Sequence, residues 1–367
     1  MPDSPLHKLS AQGQSVWLDS ISRHALKSGE LARMMREDAV VGVTSNPSIF
    51  QKAMAEGSDY DEQIRAVLDS GQTDVKEIFY ALAHDDIAEA CDLLRSVHDA
   101  GDGLDGYVSW EVDPRFANDT QATIDEAKRL HDWVERPNLL VKIPATKEGL
   151  PAIEESIAAG RSINVTLIFG LQRYREVAEA YLKGLERLVA SGGDPSRVAS
   201  VASFFVSRVD TEADKRLEKL GNTELQGRLA VANAKLAYEA YGEIFSGDRW
   251  EALKARGATP QRCLWASTSV KNPAYRDTLY VEDLIGPATV NTMPIETIEA
   301  FQDHGVVART LDADVEGARK LLAEVEAAGV DYEDVTNTLE IEGVQKFKDS
   351  MQELLDGLSA KRDAVAA

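Results

Sequence analysis

Short apolar segments alternate with longer amphipathic segments along most of the chain. Each short segment is rich in β-branched or aromatic residues and is almost continuously apolar, a pattern typical of parallel strands that helices cover on both faces. Such segments lie at residues 15–19, 39–45, 106–112, 138–144, 163–169, 197–206 and 262–268. An eighth strand falls either at 278–285 or at 288–293, and we favour the second position.

The longer segments carry apolar residues at spacings of three and four, which predicts amphipathic helices. Clear examples span residues 74–100, 171–190 and 225–245. Eight strands that alternate with such helices make repeated βαβ units, and these units close most naturally into a (β/α)8 barrel, an α/β fold. An open, doubly wound parallel sheet is the alternative.

Two regions depart from the simple alternation of strand and helix. Residues 47–103 are too long for one crossover between strands, so we expect additional helices there. The C-terminal part shows only helical patterns, at 315–328 and 342–360. Because no Pro-, Gly- or Ser-rich linker divides the chain, we interpret 1–367 as one barrel domain, with 310–367 as a helical extension packed on the barrel.

Charge and composition limit the partners that we expect. The 367 residues include 40 Lys plus Arg and 62 Asp plus Glu, which gives a net charge of −22. This charge opposes binding to nucleic acid or to an anionic membrane, and no basic patch counters it. Neither a signal peptide nor an apolar run of about 18 residues is present, so we expect a cytoplasmic protein.

The cysteine and histidine positions predict neither a disulfide nor a metal site. Cys91 and Cys263 lie far apart in the sequence without CxxC spacing, and no two histidines have HxxxH spacing. We therefore expect a reduced protein that needs no metal ion.

Polar residues follow almost every predicted strand. In a (β/α)8 barrel the active site lies at the C-terminal ends of the strands, so this position matters. In chain order these residues are Asp19, Thr44, Asn46, Glu111, Lys142, Asn164, Thr166, Ser203, Ser267 and Ser269. One polar residue at a strand end commonly marks only the exit into a loop, but the complete set indicates an active site.

Lys142 stands among apolar residues in the segment NLLVKIPAT. A lysine is rarely buried unless it is paired, because desolvation disfavours the charged form of an amine. The same effect makes an amine nucleophilic near neutral pH and allows it to form a Schiff base with a carbonyl group. Alternatively, the side chain extends its ammonium group out of the barrel mouth into water.

Two carboxylates are candidate partners for this lysine. Forming a carbinolamine, dehydrating it and cleaving a carbon–carbon bond each require a proton transfer, so a Schiff-base enzyme needs an acid–base group beside the amine. Glu111 ends the strand before that of Lys142, and Asp19 ends the first strand. Either carboxylate could instead be only a salt-bridge partner.

Two cations follow the later strands, where barrel enzymes often bind phosphate. Arg208 lies just after the sixth strand and Lys271 just after the seventh. Arginine offers a bidentate fork to a phosphate group and lysine offers a point charge. Each residue alone could equally be a solvated surface side chain.

Five segments together resemble the transaldolase family, and they occur in that family's order. They are GVTSNPSIF around Asn46, SWEVDPR around Glu111, LLVKIPATKEG around Lys142, INVTLIF around Asn164 and SFFVSR around Arg208. The resemblance covers about residues 10–310. The segment WASTSVKNP and the long helical C-terminus are similar to the longer subgroup of actinobacteria and plants.

The resemblance implies a (β/α)8 barrel that transfers a dihydroxyacetone unit in the non-oxidative pentose phosphate pathway. The implied donor is sedoheptulose 7-phosphate or fructose 6-phosphate, and the implied acceptor is glyceraldehyde 3-phosphate or erythrose 4-phosphate. It implies no metal or organic cofactor, because the iminium ion itself accepts the electrons. We expect a monomer or a homodimer.

The resemblance also implies a role for each matching residue. Lys142 corresponds to the Schiff-base lysine, Glu111 and Thr166 to the pair that holds a catalytic water, and Asp19 to the acid–base group of carbon–carbon cleavage. The expected substrate-binding residues are Thr44, Asn46, Asn164, Ser203, Arg208, Ser267 and Lys271. Lys271 replaces a second phosphate-binding arginine, because TSVK stands where many members have an aromatic residue followed by Arg.

Two other functions remain open at this stage. An aldolase with the same lysine chemistry would release dihydroxyacetone into water instead of transferring it. A catalytically inactive barrel would serve only for binding, but such a protein is expected to lack the lysine or the carboxylates, and both are present here.

Overall fold

Eight parallel strands close into a barrel in the order in which they occur along the chain. The computed structural model describes residues 4–55 and 57–366. The strands are β1 (Gln14–Leu18), β2 (Val40–Thr44), β3 (Val108–Glu111), β4 (Leu139–Pro144), β5 (Ile163–Ile168), β6 (Ser200–Phe205), β7 (Arg262–Ala266) and β8 (Thr289–Met293). Because β1 pairs with β8 as well as with β2, the predicted barrel is confirmed and the open-sheet alternative is wrong.

Sixteen α-helices accompany the barrel within the described residues. They are α1 (Pro5–Ala11), α2 (Arg23–Lys27), α3 (Glu30–Glu37), α4 (Pro47–Ala55), α5 (Asp61–Asp69), α6 (Val75–Ala100), α7 (Thr120–Val134), α8 (Gly149–Ala158), α9 (Leu171–Ala190), α10 (Ser207–Lys219), α11 (Leu229–Ile244), α12 (Gly247–Lys254), α13 (Leu279–Glu282), α14 (Ile295–His304), α15 (Val315–Ala327) and α16 (Tyr332–Ala366). The additional helices expected between β2 and β3 are α4, α5 and α6.

The predicted strands are confirmed, and the choice of 288–293 for the eighth strand is correct. The rejected segment, 278–285, contains the short helix α13 instead. Two strands begin later than predicted for local reasons. Gly106 adopts φ +84° and turns the chain into β3, and before β6 a short 3-10 turn at Pro195–Arg197 is capped by the Asp194 carboxylate.

The helix α16 is much longer than the predicted segment 342–360. Its buried residues recur every three or four positions from Tyr332 to Leu358, so one face of the helix is buried over that range. The buried side chains are Tyr332, Val335, Leu339, Val344, Phe347, Met351, Leu354 and Leu358. At about 1.5 Å per residue the helix is roughly 52 Å long.

This helix crosses the C-terminal ends of the strands. It packs mainly against α4 and also contacts α5, α6, α10 and the strand β5. Gly343 allows the close approach, since a Cβ atom there would lie 3.1 Å from Leu167 Cδ2 at the end of β5. The Tyr332 hydroxyl anchors the N-terminal end of α16, because it accepts from Leu171 N at 3.0 Å and donates to Asn233 Oδ1 at 2.6 Å.

The described residues contain neither a membrane-spanning helix nor a metal-binding cluster. No helix in the ranges 4–55 and 57–366 combines the length and the apolarity needed to cross a membrane. In the same ranges, no group of three or more His, Cys, Asp or Glu side chains is arranged to hold a metal ion. The two cysteines, Cys91 and Cys263, are buried free thiols.

Trp17 on β1 packs directly against Gly42 on β2. The two residues are register partners on β1 and β2, and Trp17 is fully buried. A Cβ atom at position 42 would lie 2.5 Å from Trp17 Cε2, which is closer than any real contact. Only glycine therefore fits beneath this indole ring.

Replacing Gly42 with alanine is expected to lower the free energy of unfolding by about 1–3 kcal/mol, because the added methyl group displaces Trp17. Gly242 in α11 is the matched control, since a Cβ atom there meets no atom within 4 Å. Gly242→Ala is expected to raise stability by up to ~1 kcal/mol. Urea unfolding of both variants measures the difference, and wild-type stability in Gly42→Ala would contradict this packing.

Candidate active site

A cavity of about 690 Å³ opens at the C-terminal ends of the strands. Most of the predicted site residues line it: Asp19, Thr44, Asn46, Lys142, Thr166, Ser203, Arg208, Ser267 and Lys271. Glu111 and Asn164 are not part of this lining and are buried. Closure of the barrel thus brings together residues that lie more than 250 positions apart in the sequence.

Lys142 lies on β4 at the cavity, and only 4% of its surface is exposed. Its Nζ donates a hydrogen bond to the Ser45 carbonyl oxygen at 2.9 Å and lies 3.4 Å from Glu111 Oε2. The ammonium group therefore does not extend into water, and the alternative proposed from the sequence is wrong. The amine is buried beside one carboxylate and remains open to the cavity.

Glu111 is the register partner of Lys142 on the neighbouring strand β3. Burial raises the pKa of Glu111 to about 7, while the nearby Lys142 charge opposes this rise and the Asp19 charge adds to it. Both protonation states of Glu111 are consequently populated near neutral pH. A carboxyl group in this range can give and take a proton at the working pH of most enzymes.

Two buried oxygen atoms near this lysine lack a hydrogen-bond partner among the described residues. They are Glu111 Oε2 and Thr166 Oγ1, on the strands that flank β4. Buried polar atoms are normally hydrogen-bonded to protein or to water, so each unpaired atom calls for a physical reason. These two atoms belong to the pair for which the family resemblance implies a shared water molecule.

A chain of hydroxyl groups holds Asp19. Thr44 Oγ1 donates to Asp19 Oδ1 at 2.7 Å, and Thr292 Oγ1 lies 2.6 Å from Thr44 Oγ1. Because Thr44 has one hydroxyl hydrogen and gives it to Asp19, Thr292 is the donor of the second bond. Burial raises the pKa of Asp19, whereas the Thr44 hydrogen bond and the charges of Lys142 and Arg208 lower it.

The two predicted asparagines have protein partners of different kinds. Asn46 Oδ1 accepts from Ile49 N at 3.0 Å, so this residue also caps the N-terminus of α4. Asn164 is fully buried, donates from Nδ2 to Ser109 Oγ at 3.0 Å and accepts at Oδ1 from Ser203 Oγ at 2.7 Å. The Asn164 side chain is therefore held in one orientation beside Lys142, its register partner.

Arg208 lies in the first turn of α10 between two aromatic rings. Its guanidinium carbon is 5.1 Å from the ring centre of Phe205 and 6.0 Å from that of Phe347, which belongs to α16. Burial lowers the pKa of Arg208, and the charges of Asp19 and Glu111 oppose this effect. Within the part of the chain that the structure describes, no carboxylate lies within 4.0 Å of this guanidinium.

The remaining predicted residues lie near Arg208 on the rim of the cavity. Ser267 Oγ is 2.9 Å from Ser207 Oγ. Lys271 is exposed, and its Nζ donates to Ser269 Oγ at 2.6 Å. This side of the cavity combines hydroxyl groups with positive charge.

Two residues at strand ends near the cavity have a left-handed backbone conformation. Ser267 has φ +55° and Leu167 has φ +60°, and the register of β5 shifts between Val165 and Ile168. Such conformations cost about 1–3 kcal/mol in a non-glycine residue and concentrate at functional sites. Here they direct the chain at the two strand ends that carry Thr166 and Ser267.

Several lining residues were not predicted from the sequence. They include Lys52 of α4, Thr292 and Glu296 near the end of β8, and Leu339, Glu342, Gly343, Lys346 and Phe347 of α16. A threonine at the end of the eighth strand could have been found from its position. The α16 residues carry no such signal, because only the packing of the helix over the barrel brings them to the cavity.

The arrangement is suited to chemistry on a carbonyl compound with a phosphate group. It offers a buried amine, two carboxyl groups whose pKa values burial raises, and a cationic rim. A nucleophilic amine with an adjacent proton donor supports Schiff-base formation. The second carboxyl group can act on a different atom of the same substrate.

Several known proteins that are similar to this chain over nearly its whole length are named transaldolases. A transaldolase from Parafrankia sp. is 54% identical over 367 residues, which cover 99% of this chain and 99% of that protein. A transaldolase from Thermobifida fusca is 55% identical over 357 residues, which cover 96% and 97% respectively. Transaldolase 1 from Streptomyces coelicolor is 54% identical over 363 residues, which cover 98% and 95%.

The family comparison extends over nearly the whole chain. The model of the transaldolase and fructose-6-phosphate aldolase family matches residues 16–358, from β1 into the last turns of α16. The match thus includes every strand end described above and the helix that crosses them. On this evidence, the chain belongs to the transaldolase/fructose-6-phosphate aldolase family.

Proposed function

We propose that this chain is a transaldolase that transfers a dihydroxyacetone unit from a ketose phosphate to an aldose phosphate through a Schiff base on Lys142. The observation that carries the proposal is the Lys142 amine, which is buried at the cavity 3.4 Å from Glu111. The names of the similar proteins support transfer as the reaction. Sedoheptulose 7-phosphate and fructose 6-phosphate are the proposed donors, and glyceraldehyde 3-phosphate and erythrose 4-phosphate are the proposed acceptors.

In the first stage, the neutral Lys142 amine adds to the ketose carbonyl carbon and gives a carbinolamine. Its hydroxyl group must then leave as water, which requires a proton donor. Glu111 supplies this proton through a water molecule held between Glu111 Oε2 and Thr166 Oγ1. Neither atom has a hydrogen-bond partner among the residues that the structure describes, which supports this role. The product is an iminium ion on Lys142.

In the second stage, Asp19 removes the proton from the hydroxyl group of the donor as the carbon–carbon bond breaks. The electron pair of that bond moves into the iminium group, and an aldose phosphate leaves. The hydrogen bond from Thr44 holds Asp19 Oδ1 and leaves Oδ2 for the proton. The enamine that remains on Lys142 then adds to the aldehyde of the acceptor, and the same steps run in reverse.

An aldolase that releases dihydroxyacetone is the alternative that the family description itself includes. The two reactions share the Lys142 chemistry and differ in whether water or an aldose phosphate reaches the enamine. An assay of transfer from fructose 6-phosphate to erythrose 4-phosphate, run beside an assay of free dihydroxyacetone, separates them. A cytoplasmic location and a monomeric or homodimeric state complete the proposal.

Borohydride reduction in the presence of fructose 6-phosphate is expected to attach a three-carbon adduct to Lys142, because reduction converts the iminium group into a stable amine. Peptide mass mapping identifies the modified lysine. Lys142→Arg is expected to abolish the adduct and to lower turnover by more than about 1,000-fold. The exposed Lys147, five residues later, provides the control variant Lys147→Arg. An adduct on any lysine other than Lys142 would contradict the mechanism.

Replacing Asp19 with asparagine is expected to slow carbon–carbon cleavage by about 100-fold or more, because the proton acceptor is lost. Schiff-base formation is expected to change much less. The rate of borohydride trapping with dihydroxyacetone measures the first stage alone, and turnover of fructose 6-phosphate measures both stages. An equal loss in the two rates would mean that Asp19 only supports the structure.

The part of the Schiff-base formation rate that depends on Glu111 is expected to fall as pH rises through about 7, because the protonated form of Glu111 is the proton donor. In Glu111→Gln this pH dependence is expected to disappear and the rate to be low throughout. Borohydride trapping of dihydroxyacetone at a series of pH values measures this rate. Dihydroxyacetone has no phosphate group, so the substrate itself does not change its protonation state over the series. Retention of the same pH dependence in Glu111→Gln would refute the assignment.

A further inference from the structure

A lysine from outside the barrel lies at the cationic side of the cavity. Lys346 belongs to α16 and lines the cavity together with Arg208 and Lys271. The next residue, Phe347, packs against the Arg208 guanidinium, so this turn of the helix is in direct contact with the cationic site. No sequence motif pointed to Lys346, because it lies far beyond the last strand.

These three cations lack carboxylate partners. In residues 4–55 and 57–366, no carboxylate oxygen lies within 4.0 Å of Arg208, Lys271 or Lys346. Neighbouring arginines differ: Arg216 pairs with Asp334 at 2.6 Å, and Arg173 pairs with Glu340 at 3.1 Å. Glu342 precedes Lys346 by one helical turn and also lines the cavity, yet it does not pair with this lysine. In a chain of net charge −22, these three cations form a positively charged group at one cavity.

The like charges in this group act on one another. The Arg208 charge is the largest influence that lowers the pKa of Lys346, followed by burial and by the charge of Lys271. Repulsion of this kind raises the free energy of the protein without a ligand. An anion placed among the cations removes the repulsion, so the group is suited to an anion and not to a neutral hydroxyl group.

The position of Lys346 is set by the packing of α16. The apolar face of this helix is buried from Tyr332 to Leu358, and Gly343 allows the helix to approach the end of β5. Lys348, two positions later on the same helix, points elsewhere and donates to Asn118 Oδ1 at 3.3 Å. One lysine of this segment therefore faces the cavity and the next does not.

We infer that Lys346 binds the phosphate group of the substrate, beside Arg208, and that the C-terminal helix thereby contributes to the preference for phosphorylated sugars. The inference rests on the proposed function for the identity of the ligand as a sugar phosphate. Lys346 is thus a third cation beside Arg208 and Lys271, the two residues that the sequence predicts to bind phosphate. Arg208 supplies a fork fixed between two rings, and Lys346 supplies a point charge.

Lys346→Gln is expected to raise the KM for fructose 6-phosphate by about 10-fold, the usual effect of losing one hydrogen bond to a charged group, with kcat within about twofold of wild type. The rate of borohydride trapping with dihydroxyacetone, which has no phosphate, is expected to stay unchanged. Lys348→Gln is the matched control, because it removes the same charge from the same helix. Lys346→Arg is expected to restore most of the affinity.

Calorimetric titration with inorganic phosphate at low ionic strength tests the site without any catalysis. Lys346→Gln is expected to bind phosphate about 10-fold more weakly than wild type or Lys348→Gln. If both glutamine variants bind phosphate equally, Lys346 is not a ligand and the inference is overturned. A parallel loss of trapping with dihydroxyacetone would also overturn it, because the lysine would then only support the fold.

The same measurements separate this inference from the proposed function. If wild type forms no adduct on Lys142 while Lys346→Gln weakens phosphate binding, the transaldolase proposal fails and the anion site stands. If the adduct forms and phosphate binding is the same in all variants, the reverse holds. Each result therefore decides one of the two proposals.

Discussion

The burial of the Lys142 amine beside the Glu111 carboxyl group is the interaction on which the rest of the site depends. The two residues are register partners on adjacent parallel strands, so the barrel itself sets their separation of 3.4 Å. Taking two ionisable groups out of water is costly unless each stabilises the other. This cost raises the pKa of Glu111 to about 7, which suits a group that must both give and take a proton.

Asp19 has a different hydrogen-bond partner from the Lys142–Glu111 pair. The Thr44 hydroxyl of β2 donates to Oδ1, the Thr292 hydroxyl of β8 donates to Thr44, and Asp19 lines the cavity. The two carboxyl groups thus have different partners, one an amine and the other a threonine hydroxyl. Different environments allow one site to carry out proton transfers at two substrate atoms.

The cations at the cavity attract anions, whereas the net charge of −22 of the whole protein repels them. A sugar phosphate is repelled by the protein as a whole, so its binding depends on short-range contacts that salt screens little. Arg208 is suited to this task because its guanidinium lies near the Phe205 and Phe347 rings and because, among the described residues, no carboxylate lies within 4.0 Å of it. The long helix α16 completes this region, which makes the C-terminal segment part of the site.

The periodicity of apolar residues by itself predicted the strands and helices and favoured the barrel, because buried parallel strands and amphipathic helices have distinct local patterns, whereas the pairing of β1 with β8 decided against the open sheet. The rule that chemistry occurs at strand ends gave predicted site residues of which most line the cavity, since it depends only on where each strand stops. Tertiary structure alone decided the burial of Lys142, the Thr292–Thr44–Asp19 hydrogen bonds and the position of Lys346 at the cavity. These depend on contacts between residues far apart in the chain, and such contacts leave no periodic signal in the sequence.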